Sequence, residues 1–511
     1  MAGKVWLIGA GPGDVGLFTI KGAQVLKEAE VIVYDSLVGQ GVLAMIPGQA
    51  RSIYVGKRAG NHSMPQEQIN RLLLEEAMKG YRVVRLKGGD PFLFGRGGEE
   101  LELLQEHGIP YEVVPGVTSP LAVPAYNGIP VTHRDYCSSL HIVTGHQKEG
   151  GTYDIDFDAL IRAGGTLIFL MGSSSLGHIC SKLMEAGMAA DMPAAILQEG
   201  TTARQKRIVA TVATLTNEAK QQGIGAPAII VAGKVCELAD QLNWYEKLPL
   251  AGYKVLVTRP RDLISALALK LRIQGAEVLE LPAIKTTALK NQDALHKAFL
   301  KINSYQWIVF TSPTGVNIFW EEMKAKGLDV RTLGTAKIAV IGSGTRKALE
   351  EKGIFVDLIA PTYDGAALGK ALADICGGGE RILIPRGKTG SHEIIEELMK
   401  QKHLVIEDIP TYETLYESQE IIDEALEFEA GNIDCAVFTS ASTVKGFAAA
   451  TAGLDYSKVR AACIGKQTKM AADAYGMKTH MAEEATIDSL IALVCNLKKE
   501  QHGNVKKTKK A

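Results

Sequence analysis

V-W-L-I-G-A-G-P-G-D, residues 5–14, runs a strand straight into a glycine-rich turn. An amphipathic stretch follows from Leu17 to Ala29, and V-I-V-Y-D, residues 31–35, closes the unit with a second strand that stops on an acid. Strand, turn, helix and strand in so short a span make a nucleotide-type βαβ start and point to an α/β fold. A dinucleotide fold spaces its glycines G-x-G-x-x-G, so that a pyrophosphate can reach the helix N-terminus. Here Gly9, Gly11 and Gly13 alternate, and Asp14 puts a negative charge where a phosphate would sit. The loop suits a ligand without one, which counts against an NAD-dependent oxidoreductase.

The next informative stretch is V-V-R-L-K-G-G-D-P-F-L-F-G-R-G-G-E-E, residues 83–100. A strand over 83–86 leads to Gly88 and Gly89, where backbone can approach a ligand closely, and Asp90 and Pro91 set the turn. Between these blocks the pattern predicts a helix over about 65–79. Ser63 and Gln66 offer a capping box, Ile69, Leu72, Leu73 and Met78 form an apolar face, and Gly80 ends it. Strand-like and helical stretches keep alternating, and the first half reads as two lobes, about 1–115 and 116–245, joined near residues 114–116. A cofactor is expected in the cleft between them.

W-Y-E-K-L-P-L-A-G, residues 244–252, breaks the pattern before a new strand, K-V-L-V-T-R-P, begins at Lys254. The main domain boundary falls there. Beyond it the sequence repeats: F-T-S-P-T-G-V (310–316) overlays F-T-S-A-S-T-V (438–444), and I-G-S-G-T (341–345) overlays I-G-K-Q-T (464–468). In each copy a glycine, Gly353 or Gly476, stands eight residues after the threonine. Two similar α/β lobes are implied. The short linker and a complete pattern on each side predict that the halves are separable, each of roughly 240 residues with its own core. The tail from Lys498, K-K-E-Q-H-G-N-V-K-K-T-K-K-A, reads as a solvated, disordered basic end (498–511).

At 511 residues the chain has room for several domains, at about 150 residues each. A net charge of −1 gives no global field for nucleic acid. No apolar run approaches the ~20 residues that span a bilayer, and the first strand starts too early for a signal peptide. Seven cysteines are scattered without a C-x-x-C pair or histidines at metal-ligand spacing, so they read as reduced, buried, small hydrophobes, with no metal site. The expected compartment is the cytoplasm.

G-A-G-P-G-D, V-G-K-R (55–58), H-S-M-P-Q (62–66) and the G-G-D-P block, in this order, resemble the uroporphyrinogen-III C-methyltransferases, tetrapyrrole methylases that use S-adenosylmethionine and release S-adenosylhomocysteine. The resemblance continues through V-P-G-V-T-S (114–119), G-I-P-V-T-H-R (128–134), F-L-M-G (169–172) and E-G-T-T (199–202), and covers about residues 3–243. It implies a two-lobed tetrapyrrole-methylase fold and a homodimer through the methylase lobes. It also implies a cofactor pocket lined by Pro12, Gly88, Gly89, Asp90, Leu93, Thr118, Ser119, Met171, Gly200 and Ala228; plain turns for the glycines, and core for Met171 and Ala228, stay open as alternatives. Asp35 is the implied proton acceptor and Lys57 the donor, against a helix cap and a surface charge. Because uroporphyrinogen carries eight carboxylates, Arg58, Arg85, Arg96 and Arg134 are candidate anion partners, or else ordinary surface arginines.

The second half resembles uroporphyrinogen-III synthases from about residue 253 to 497, through V-T-R-P (257–260), the repeated blocks, I-P-R-G (384–387) and P-T-Y-E-T (410–414). The resemblance implies that the chain starts one lobe, about 253–285, builds the second, about 286–410, and returns to finish the first over 411–497. Strand-to-helix junctions rich in glycine and hydroxyl residues could clamp a polycarboxylate on free helix N–H groups, or could be simple N-caps. Ser312, Thr345, Arg386, Ser440 and Thr468 are the candidate substrate contacts. Tyr412 is the implied assistant of the leaving hydroxyl, a buried core tyrosine being the alternative. Together the resemblances imply a bifunctional enzyme that cyclises hydroxymethylbilane to uroporphyrinogen III and methylates it twice to precorrin-2. The rival is a methyltransferase fused to a non-catalytic tetrapyrrole sensor.

Overall fold

The computed structural model describes residues 3–56, 64–145, 155–260, 266–362, 364–390, 392–400, 403–416 and 421–508. The first sheet holds β1 (Lys4–Gly9), β2 (Val31–Tyr34), β3 (Arg51–Tyr54), β4 (Arg82–Lys87) and β5 (Tyr111–Val114) in the order β3-β2-β4-β1-β5. All of its pairings are parallel. Central strands β1 and β4 are covered on both faces, which suits their dense Val, Leu and Ile content. Ligand loops of such sheets gather at the carboxyl ends of the strands. The chain enters helix Gln66–Met78 at Pro65, with no side-chain cap, and leaves it at Gly80 with φ +92°. Ser63, the expected cap, lies outside the described residues.

The second sheet holds β6 (Leu140–Thr144), β7 (Thr166–Leu170), β8 (Pro193–Gln198), β9 (Lys206–Thr211) and β10 (Ala228–Ala232), ordered β6-β7-β10-β8-β9. Only β6 and β7 run parallel; the other pairs are antiparallel. Helix Ser119–Tyr126 bridges from the first sheet to the second.

The C-terminal half is one ten-stranded sheet with a symmetric order. Five strands, β15 (Leu358–Ile359), β14 (Lys337–Val340), β13 (Trp307–Phe310), β16 (Arg381–Gly387) and β17 (Val405–Tyr416), make one wing. The other wing is β12 (Glu277–Ala288), β11 (Lys254–Pro260), β18 (Cys435–Phe438), β19 (Arg460–Cys463) and β20 (Lys478–Met481). The wings meet where β12 and β17 pair antiparallel, from Ile284 opposite Tyr416 to Ala288 opposite Tyr412. The sequence repeat is the strand–helix–strand of each wing, and Gly353 and Gly476 end their helices at the same φ of +81°, a left-handed backbone that glycine adopts without strain.

Two features depart from the sequence reading. The last helix runs from Ile487 to Thr508, so most of the tail continues it. The reason is an apolar stripe, Leu490, Val494 and Leu497, extended by Lys498 Nζ donating to the Ala251 carbonyl at 2.5 Å and by Gln501, which receives Arg460 and donates to Asp434. The halves also share apolar surface. A single cluster of buried side chains runs from Ile8 of the first sheet, and Val42 and Ile46 of the segment between β2 and β3, to Leu256, Leu279, Leu281 and Phe438 of the third sheet.

Candidate functional site

In the N-terminal half the loops after β1, β4 and β5 close on one another. Gly11 and Gly89 exchange backbone hydrogen bonds of 3.2 and 2.8 Å. A Cβ on Gly9 would lie 2.5 Å from the Gly116 Cα, and one on Gly116 would lie 2.1 Å from the Gly89 carbonyl oxygen. No larger residue fits at either position. The Asp90 carboxylate ties the loops together: Oδ1 accepts from the amides of Phe92 and Leu93 at 2.8 and 3.1 Å, and Oδ2 from the amide of Gly116 at 3.0 Å. Gly88 is glycine because a Cβ would strike Leu37. Gly89 differs. With φ +65° it faces open space, where an added Cβ would meet nothing within 4 Å and where a ligand could approach the backbone.

The second lobe brings its own loops to this edge. Asp14 donates its amide to Thr201 Oγ1 at 3.2 Å, and a Cβ on Gly200 would run into Val123 of helix Ser119–Tyr126. The Asp14 side chain is engaged by neighbouring groups. Its carboxylate accepts from the Gly16 amide and from the Tyr126 hydroxyl, both at 2.7 Å. Met171, Glu199 and Thr201 hold positive φ of 55°, 46° and 70°, as do Phe94 and Arg96 at 55° and 57°. Each such residue costs about 1–3 kcal/mol and persists where the surroundings impose it, commonly at ligand sites.

Beneath the loops lies a chain of charges. Asp35, just past β2, caps the Leu37 amide at 3.1 Å and pairs with Arg85 at 3.0 Å. Arg85 Nε reaches the fully buried Glu100 at 3.2 Å, Lys87 Nζ reaches it at 2.8 Å, and Gln66 donates to the same oxygen at 3.1 Å. Burial, followed by repulsion from Arg85, lowers the Lys87 pKa.

In the C-terminal half Tyr412, on β17, shares a 2.7 Å hydrogen bond with Ser312, which caps helix Pro313–Ala325 by accepting from the Gly315 amide at 3.0 Å. A Cβ on Gly387 would come 2.9 Å from the Tyr412 ring. The tyrosine therefore sits between a helix N-terminus of one strand and the end of another. Burial raises its pKa.

A family model described as Tetrapyrrole (Corrin/Porphyrin) Methylases matches residues 4–216, and one described as Uroporphyrinogen-III synthase HemD matches residues 265–492. The porphyrin biosynthesis protein HemD of Ruminiclostridium josui is 46% identical over 489 residues, 96% of this chain and 97% of that protein. The chain belongs to this family of methylase–synthase fusions. The uroporphyrinogen-III C-methyltransferase of Bacillus subtilis is 41% identical over 360 residues, 70% of this chain and 74% of that one. Among solved structures, the Thermus thermophilus uroporphyrin-III C-methyltransferase complexed with S-adenyl homocysteine is 40% identical, covering 46% of this chain and 99% of its own, with a TM-score of 0.39.

In the methylase half the structure gathers Pro12, Gly88, Gly89, Asp90, Leu93 and Thr118 on the first lobe's loops, with Ser119 opening the bridging helix. Met171, Gly200 and Ala228 stand on loops and strand ends of the second lobe. Lys57 and Arg58 lie outside the described residues. Arg85 is not a surface anchor. It is buried, and its guanidinium makes four hydrogen bonds, to Glu100, Asp35 and the carbonyls of Val33 and Leu86. It orients Asp35. Arg96 is exposed and paired with Glu99, and Arg134 is exposed beside the His133–Cys137 bridge.

In the synthase half Arg386 is likewise internal, gripping Asp408 with two bonds of 2.6 and 2.7 Å and holding the carbonyls of Gly387 and Gly390. It shapes the loop after β16. Thr345 and Thr468 are buried in the first turns of their helices, and Ser440 forms a capping box with Thr443. The Ser440 and Thr443 hydroxyls order their helix start, whereas the helices of Thr345 and Thr468 begin at Gly342 and Gly465 without a side-chain cap. Any carboxylate clamp would come from the remaining main-chain N–H groups. Among the described residues no group of His, Cys, Asp and Glu could hold a metal ion, and no helix is long and apolar enough to cross a membrane.

Proposed function

We propose that the synthase half closes hydroxymethylbilane to uroporphyrinogen III and that the methylase half methylates this product twice, giving precorrin-2. The observation that carries the methylase reading is the open cradle at Gly89, framed by close-packed glycine loops on one lobe and strained loops on the other. S-adenosylmethionine, when bound there, supplies an electrophilic methyl group. The protein's part is positional: the Gly9, Gly89 and Gly116 backbones bring the reacting partners together, and the two lobes exclude water. When the new C–C bond has formed, the methylated carbon carries no hydrogen, so the ring system sheds its proton from a pyrrole N–H or an adjoining bridge carbon, and in this reading Asp35, held by Arg85, accepts it. Lys57 is the matching donor. Arg58, Arg96 and Arg134 meet the substrate carboxylates.

In the synthase half the Tyr412 hydroxyl, aligned by Ser312, assists the departing hydroxyl group. The substrate's own pyrrole nitrogens stabilise the resulting cation, so no strong base is required. The activities divide between residues 1–245 and 253–497. We place the enzyme in the cytoplasm as a homodimer through its methylase lobes, in keeping with its free cysteines.

The test is incubation of the purified chain with hydroxymethylbilane and S-adenosylmethionine, followed by mass analysis and isomer typing of the tetrapyrrole. A dimethylated product of the inverted isomer is expected. The uninverted isomer, with tetrapyrrole bound but unturned, would make the C-terminal half a sensor.

A further inference from the structure

We propose that Lys254 and Glu277 of the synthase half are positioning residues for methyl transfer, bracing the loops that frame the methylase cleft from both lobes. The inference rests on the methylase reading above. The Glu277 carboxylate stands at the junction: Oε2 accepts from the Ala203 amide at 2.8 Å, and Oε1 pairs with Lys254 Nζ at 3.0 Å. Ala203 directly follows the E-G-T-T loop, whose Glu199 and Thr201 hold strained backbone. Lys254 is buried and also donates to Gln40 Oε1 at 2.5 Å, with Glu427 at 3.4 Å behind it. Gln40 opens the short helix Gln40–Leu43 that follows the Asp35 turn, and the N-cap of that helix, Gly39, abuts the Gly13 carbonyl. Two side chains of one half thus hold the second-lobe loop and the first-lobe turn that carries the proton acceptor.

A second tether runs through residues 244–252, which pack instead of dangling. Tyr245 packs on the ring of Tyr126 with centroids 5.0 Å apart and donates to the Gly275 carbonyl at 3.3 Å, while Trp244 donates to the Ala125 carbonyl at 2.9 Å. Tyr126 in turn holds Asp14 of the glycine loop. Arg204 adds a hydrogen bond to Asn432. A strained loop keeps its geometry only while its surroundings over-determine it, and here part of those surroundings belongs to the neighbouring enzyme.

The test uses the full chain with Glu277→Ala, Lys254→Met and the conservative Glu277→Gln, which keeps an acceptor for the Ala203 amide. Methylation of supplied uroporphyrinogen III, S-adenosylhomocysteine affinity, synthase turnover and amide exchange at Ala203 are measured on each preparation. Glu277→Ala and Lys254→Met should lower kcat/KM for methylation by about fivefold or more, within the usual range of coupling between sites, while synthase turnover stays unchanged. Glu277→Gln should recover most of the loss, and exchange at Ala203 should quicken in Glu277→Ala. Unaltered methylation, or equal losses in both activities, overturns the proposal. If the wild-type chain itself fails to bind S-adenosylhomocysteine, the methylase reading falls, and unchanged exchange at Ala203 would then sink the brace separately.

Discussion

The two halves shape their clefts by opposite means. The methylase half bends backbone: among the described residues five of the six non-glycine positions with positive φ are Phe94, Arg96, Met171, Glu199 and Thr201, around loops where Gly9, Gly89 and Gly116 touch main chain to main chain. The synthase half holds the sixth, His403 at φ +101° just before β17, and otherwise points helix starts, two of them capped by Ser312 and Ser440, at its strand ends. The first arrangement tolerates almost no substitution because backbone cannot yield. The second spreads its grip over several interchangeable N–H groups, and single changes should be graded.

The largest effect is expected beneath the methylase cleft. Glu100→Gln leaves Arg85 and Lys87 buried with one carboxylate fewer, and breaking such a network costs about 3–5 kcal/mol. Denaturant unfolding should show the loss, with methylation falling in step; unchanged stability would mean that the charges are solvated. Asp35→Asn should come next, lowering methyl transfer by roughly 10²-fold while S-adenosylhomocysteine affinity, measured by calorimetry, stays nearly constant. Near-normal turnover would reduce Asp35 to the cap of Leu37. Gly89→Ala should weaken S-adenosylhomocysteine binding by about tenfold, because its Cβ enters the cradle, with a stability loss near 1 kcal/mol from the left-handed backbone. Normal binding with early melting would break the contrast between cradle and scaffold. Least affected should be Tyr412→Phe, which removes the bond to Ser312 and should slow ring closure only about threefold. A loss as large as that of Asp35→Asn would show the synthase cleft to be as exacting as its neighbour.

Much of the fold was legible in the chain. Alternating glycines and the repeated I-G-x-x-T blocks constrain backbone directly, and backbone constraint is what sequence records most plainly. Buried charge is harder to see. Arg85 and Lys87 are two apart on a strand, therefore on one face, and in a strand flanked on both sides that spacing signals internal partners; their partner Glu100 sits on a later helix and shares no local pattern with them. Arg386 was read as a substrate contact for the same reason, its Asp408 lying on the adjacent strand. Residues 244–252 looked like a linker because they lack periodicity, yet Trp244 and Tyr245 pack on Tyr126 of the methylase half and Tyr245 donates to Gly275 of the synthase half, contacts that no local pattern marks. Lys254 and Glu277 look like the polar ends of strands, and nothing local marks them as reaching into the other half.

The β12–β17 pairing has a consequence for synthesis of the chain. β12 ends at Ala288, but β18, which flanks β11, begins only at Cys435. The ribosome must add about 150 residues between them, on the order of 10 s of translation. β12 keeps an open edge until β17 (Val405–Tyr416) is made, and β11 keeps one until β18, the kind of surface that invites wrong pairing. The methylase half has by then emerged in full, and the apolar face that it shares with Leu256, Leu279 and Leu281 is available to hold the waiting strands. Placed first in the chain, the methylase half thus offers the waiting strands a folded apolar face to pack on.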